Sequence, residues 1–337
     1  MNPEKTIPPR LNYTTLPIFF VQRGEPGLFI KKVLKQAELS NGKENVYLLT
    51  DANFDYYKEF NCIDISKYIP ATAEFGKLYK HHSANTPFFE KVCFDRWFII
   101  NALIKDLNIN YFFHAYNDVL LLAGLNPVYE YLLEGNYNGS TMYFEHNGDS
   151  VTSGHSSFWS SKLLDAFCTF VCKKYVSEAE FSKLLKDTLA GKFLDNKNVS
   201  DMILLDLFRT ETKPNVLNLF SLEERNIVLD FNINVAYNGY KHSFIRHSFF
   251  KIKKMKRYKD GLYGQVTGSE TNAVYVKFYS LHFQGYLTKS LIPIYLTSKS
   301  SIEQAANYLS GVFVYFVRKM RLFKNHIKGK MKAYLAK

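Results

Sequence analysis

The sequence predicts an α/β fold, one domain on a mixed, mostly parallel sheet followed by a basic amphipathic helix. Three observations predict it. Apolar runs at Pro17–Gln22 and Val46–Thr50 flank a helix-patterned segment, Leu28–Leu39. Strand, helix and strand in that order form a βαβ unit, which implies parallel pairing. A second helix-then-strand pair follows at Val92–Leu107 and Asn110–His114, and the segment after Ser301 keeps a helical apolar stripe to Ile327.

Taken in order, PIFFVQ reads as a short buried strand, and Gly24 and Pro26 mark the turn after it. Phe29, Val33 and Ala37 share one helical face, and Asn41-Gly42 ends that helix. VYLLT is a second buried strand ending at Asp51. Phe94, Trp97, Phe98 and Leu103 give the next helix its apolar side, and NYFFH is the strand behind it. TMYFE at Thr141–Glu145 is a further strand. Ser160 or Ser161 caps a helix carrying Leu163, Leu164, Phe167 and Val171. Asp195–Val199 is a polar loop before the apolar segment Met202–Phe208, and Ala273–Phe283 is a long alternating strand. Ser301 and Gln304 fit a capping box for the last helix, whose stripe is Ala305, Leu309, Val312, Phe316, Met320, Phe323 and Ile327. No repeat or linker divides the chain, so the expected division is 1–295 for the α/β domain and 296–337 for the helical tail.

With 337 residues, 47% of them hydrophobic, the chain can bury a large core. No apolar stretch approaches the ~20 residues of a membrane span, and the polar, proline-bearing Met1–Arg10 does not resemble a secretory leader. The four cysteines form no C-x-x-C pair and read as reduced, buried residues, which places the protein in the cytoplasm. The net charge of +12 calls for an acidic partner. Eight basic residues and no acidic one fall between Arg318 and Lys337, with a second cluster at Lys251–Lys259. A basic amphipathic helix suits an anionic membrane surface, and a helix packed on the domain with a solvated basic face is the alternative. The aromatic residues lie mostly inside apolar segments rather than among the basic ones, which argues against nucleic acid.

In a parallel sheet, ligands bind beyond the carboxyl ends of the strands. The residues just past the predicted strands are Gln22-Arg23-Gly24, Asp51-Ala52-Asn53 and His114 through Asp118. Asp118 is a carboxylate suited to a divalent cation and a substrate diphosphate, although Asn117-Asp118 also fits a plain turn. His282, Gly285 and Lys289 offer a metal ligand, close backbone approach and a phosphate-binding charge. Gly154 and His155 lie in a small-residue stretch before a helix and suit a polar ligand or simple capping. Asp201 is either a helix cap or a general base for a hydroxyl.

Together and in this order the segments resemble the GT-A class of nucleotide-sugar glycosyltransferases, over roughly residues 15 to 290. Val21–Thr50 resembles the nucleotide half, Phe112–Leu120 the metal strand, Ser153-Gly154-His155 the donor-sugar loop and Ser200-Asp201-Met202 the acceptor region. His282, Gly285 and Lys289 resemble the late motif of glycogenin-like and lipopolysaccharide-galactosyltransferase-like enzymes. Two departures stand out: Tyr116 occupies the place of the first acid in Asp-x-Asp, and one extra residue precedes Lys289.

The resemblance implies a single Rossmann-like GT-A domain and a hexosyltransferase-like enzyme of surface polysaccharide synthesis. It implies a nucleoside diphosphate sugar donor and a glycan or lipid-linked acceptor, at the inner face of a membrane. Asp118 and His282 would hold manganese or magnesium. Arg23, Asp51, Asn117, Gly154, His155, Gly285 and Lys289 would contact the donor, and Asp201 would act on the acceptor. With Tyr116 in place of an acid, the alternatives are a metal held by Asp118 and His282 and a metal-free site in which Lys289 meets the leaving diphosphate. The rival is a degenerate fold that binds glycan or a partner protein without catalysis.

Overall fold

The computed structural model describes residues 16–146, 149–189, 198–236, 239–267, 274–297 and 300–335. The stretch Met1–Arg10, the Asp195–Lys197 part of the polar loop, Ala273 and Lys337 lie outside these.

The strands are β1 (Ile18–Gln22), β2 (Val46–Thr50), β3 (Cys62–Asp64), β4 (Tyr111–Ala115), β5 (Val119–Leu121), β6 (Gly139–His146), β7 (Asp149–Ser160), β8 (Val216–Asn218), β9 (Met255–Tyr258), β10 (Gly261–Gln265), β11 (Tyr275–Phe278) and β12 (Ser280–His282). Seven of them form one sheet in the order β3-β2-β1-β4-β7-β6-β8. β1 pairs parallel with β2 and β4, and β7 alone runs against its neighbours. The expected mixed, mostly parallel α/β sheet is therefore the observed one.

Strands β1, β2 and β4 are mostly apolar because both faces of the sheet are covered there. Ile18 and Phe20 of β1, Val46 and Leu48 of β2, and Phe113 and Ala115 of β4 point into one core. The alternating residues Phe19, Tyr47, Leu49 and Phe112 point into the other. The Ile30–Asn41 helix covers the first face; the Pro87–Asp106 and Ser161–Val176 helices cover the second.

Three expectations change. The segment holding Gly154 and His155 is not a loop but part of the twelve-residue strand β7. Ser153, Ser156 and Ser157 are buried in the sheet, and the Ser157 hydroxyl donates to the Gly154 carbonyl, so composition misleads there. The strand expected over Ala273–Phe283 divides: β11 pairs with β10, whereas β12 pairs with β5. Tyr279 between them accepts from Leu122 and donates to Val228, which turns the chain from one sheet to the other. The last helix, Ser301–Leu335, is entered through Ser300, whose hydroxyl accepts from the Glu303 amide, rather than through Ser301.

Candidate active site

The order of the large sheet reverses at β1, with β2 and β3 on one side and β4 on the other. The crevice between the carboxyl ends of β1 and β4 is thus a topological switch point, the place where such sheets bind ligands. Asn117 spans it, its Nδ2 donating to the Val21 carbonyl (2.8 Å) and to Gln22 Oε1 (2.9 Å). Asn117 Oδ1, Tyr116 Oη and Asp118 Oδ1 are all buried without a hydrogen-bond partner. Buried polar atoms in folded proteins are nearly always bonded. Nine such unpartnered side-chain atoms occur among the described residues, and three of them fall in succession at this switch point, an arrangement that suits a ligand or cation.

Asp118 is 9% exposed. Its Oδ2 pairs with Lys289 Nζ at 3.0 Å, and its Oδ1 lies 3.6 Å from His282 Nε2. The antiparallel pair β5–β12 sets this geometry by placing Val119 opposite His282. His282 Nδ1 lies 2.6 Å from the Phe231 carbonyl. A carbonyl only accepts, so Nδ1 carries the proton, and in the neutral ring the Nε2 lone pair turns toward Asp118. Two acceptors face each other there, an arrangement that a cation or a second proton would settle. Among the described residues no group of three or more His, Cys, Asp or Glu gathers to hold a metal. Two protein ligands, one carboxylate and one imidazole, suit a transition-metal cation such as manganese that completes its shell with water and substrate phosphates. Gly285 has φ +99°, and a Cβ there would meet nothing closer than Thr288 Oγ1 at 3.9 Å, which leaves its backbone open to a phosphate.

His282 is held from behind. His155 stacks on it at 4.0 Å and 16°. His155 donates from Nε2 to the Asp230 carbonyl (2.8 Å) and accepts the Ser153 hydroxyl at Nδ1 (2.7 Å). It is fully buried, so it supports His282 instead of meeting a donor sugar directly. The Asp230 carboxylate accepts the His282 backbone N–H (3.0 Å) and the Tyr240 hydroxyl (3.0 Å), and pairs with Lys253 (2.6 Å). Both partners of that ion pair are wholly buried.

Asp201 sits at the first turn of the Asp201–Thr212 helix, capped by Ser200. Its Oδ2 accepts from Arg96 (2.8 Å) and Trp97 Nε1 (2.9 Å). Arg96 in turn lies over the Tyr116 ring at 4.1 Å. Gly154 permits this packing, since a Cβ there would stand 3.2 Å from Trp97 and 3.3 Å from Leu205. Arg23 pairs with Asp51 (3.0 Å) and Asp95 (3.1 Å), so the two residues expected at the nucleotide pair with each other at the ends of β1 and β2.

Sequence reasoning missed Arg96, Asp230, Tyr240 and Lys253. Asp230 ends an apolar run, Ile227–Leu229, as the strand-end candidates do, and that signal was available. Lys253 stands in a basic cluster and looks like its solvated neighbours.

Burial holds His155 well below the usual histidine range, with the neighbouring His282 adding to it. Burial, then Arg96, lowers His114 to about 3 from 6.5. The unfolded chain therefore binds protons that the folded chain refuses. The stability these rings carry is complete above pH 6.5 and is lost as pH falls below it, by about 1.4 kcal/mol per pH unit for each ring. We expect the urea midpoint to drop steeply from pH 7 to pH 5; a flat midpoint over that range would contradict the assignment.

No protein-family model matches the chain, and no curated protein sequence does. Among solved structures, the chain is similar to mouse xyloside xylosyltransferase 1, at 12% identity over 60% of this chain and 84% of that one, with a TM-score of 0.39. It is similar to the glycosyltransferase GlyE of Streptococcus pneumoniae, at 14% identity and TM-score 0.36, over 65% of this chain and 47% of that one. It is also similar to a cytidylyltransferase from Leptospira borgpetersenii, at 13% identity and TM-score 0.31, over 59% of this chain and 95% of that one. Overlaps this loose carry no functional argument, so the functional reading rests on the chemistry of the site.

Proposed function

We propose that the protein transfers a sugar from a nucleoside diphosphate sugar to a hydroxyl of a glycan or lipid-linked saccharide. The observation that carries this reading is the run of unpartnered buried oxygens from Tyr116 to Asp118, at the switch point and opposite His282 and Lys289. Asp118 and His282 would hold a divalent cation, which neutralises charge on the leaving diphosphate. Asn117 would offer its unpartnered oxygen to the nucleotide, and the open Gly285 backbone would admit the phosphates. Lys289, about half exposed, offers its ammonium to them. In the transfer, the acceptor oxygen bonds to the anomeric carbon and the bond from that carbon to the β-phosphate oxygen breaks. The hydroxyl proton leaves to a base or to solvent. A base role for Asp201 would require its carboxylate to leave Arg96 and Trp97; in place it anchors Arg96 beneath Tyr116. The basic stretch from Arg318 supports an acceptor presented at an anionic membrane surface.

The test is release of nucleoside diphosphate from a panel of nucleotide sugars, with manganese and saccharide acceptors. Acceptor-dependent release from one donor supports the reading. If no donor turns over while glycan is still bound, the non-catalytic alternative takes its place.

A further inference from the structure

We infer that the Ser301–Leu335 helix and the segment around Phe249 together form one face that docks on an anionic lipid bilayer. The helix packs on the body through Gly311, Tyr315 and Arg318. A Cβ at Gly311 would stand 2.8 Å from Ile294, Tyr315 is buried, and Arg318 donates to the Tyr286 carbonyl at 2.6 Å and to Ser290 Oγ at 3.2 Å. A different side of the helix carries Leu309, Phe313, Phe316, Met320, Phe323 and Ile327, spaced alternately by four and three, and all are exposed. The stripe therefore runs through Phe313 rather than Val312, which is half-buried against the body.

Phe249 extends the stripe onto a second element. It is 49% exposed, its ring stands 5.7 Å from that of Phe316, and Lys319 Nζ lies 5.0 Å above it. Arg246, His247 and Lys251 beside it are exposed. Exposed apolar rings ringed by cations from two separate stretches of chain match a membrane interface, where rings enter the headgroup boundary and ammonium groups meet lipid phosphates.

Charge selects the occupant. An apolar stripe of this spacing also suits a coiled coil with a second copy, but Glu303 is the only acid from Ser301 to Leu335. A second copy would set basic helix beside basic helix with almost no counter-charge, whereas an anionic bilayer supplies it. No helix among the described residues is long and apolar enough to cross the bilayer, so docking is peripheral. Arg318, on the packed side of the helix, ties it to the turn that precedes Lys289.

The experiment is co-sedimentation of the full chain with phosphatidylcholine vesicles, with and without phosphatidylglycerol, at low and high salt. Vesicle binding needs no nucleotide, so this proposal and the sugar-transfer reading fail separately. We expect binding only to the anionic vesicles. Phe249→Ser and Phe323→Ser should each weaken it about tenfold, and the triple variant Lys319→Gln, Arg321→Gln, Lys324→Gln by on the order of a hundredfold. These side chains are exposed, so unchanged melting temperatures check the fold. Equal binding to neutral vesicles would overturn the proposal, as would full binding by Phe249→Ser or a dimer in sedimentation equilibrium that Phe323→Ser dissolves.

Discussion

Asp118→Asn is expected to lower sugar transfer by on the order of 10³, about 4 kcal/mol of lost transition-state stabilisation. Asparagine keeps the shape but removes the charge that faces His282 and Lys289. The fold should survive, because the Asp118 carboxylate is no anchor: its Oδ1 has no hydrogen-bond partner and its Oδ2 pairs with a half-exposed lysine. Steady-state kinetics with the preferred donor, alongside thermal melts, separates the two effects. Turnover within tenfold of wild type would remove Asp118 from the reaction.

Asp230→Asn is expected to act on the fold, costing about 3–5 kcal/mol, since it leaves Lys253 charged and unpaired in a fully buried place. Burial already lowers the Lys253 pKa, and Asp230 is the charge that opposes this. Without it the folded value falls further, while the unfolded value does not move. The loss should then be greatest at acid pH and shrink as pH rises, because a neutral amine needs no counter-charge. Urea melts at pH 6 and pH 9 measure this. A loss below about 1 kcal/mol at pH 6, or one that grows with pH, would contradict the role assigned to the pair. Because Asp230 also receives the His282 amide, the variant should loosen His282 even where the protein stays folded.

The central strands were legible because β1, β2 and β4 are buried on both faces, and uninterrupted apolar runs leave few other readings. Asp118 and His282 were legible for a related reason, since each stands at or just past the end of an apolar run; Lys289 lies in the 3-10 turn Thr288–Tyr295 and was legible only through the late motif it resembles. β7 was not, because Ser153, Gly154, Ser156 and Ser157 have the composition of a loop and become strand only through the neighbours that bury them. The buried pair Asp230–Lys253 leaves no pattern, since its partners stand far apart in sequence and Lys253 shares its composition with exposed lysines nearby. Asp201 illustrates a third case. Its position at a helix start was legible, but its engagement with Arg96 and Trp97 depends on a long-range contact that only the fold creates.

The most direct test of the central claim is isothermal titration of nucleoside diphosphates into the wild type and Asp118→Asn, each with and without manganese. The account predicts that one nucleotide binds the wild type, more tightly with manganese, and that Asp118→Asn loses the manganese-dependent part. Failure of every nucleotide to bind, or equal binding by the two proteins in manganese, would contradict a diphosphate site at Asp118.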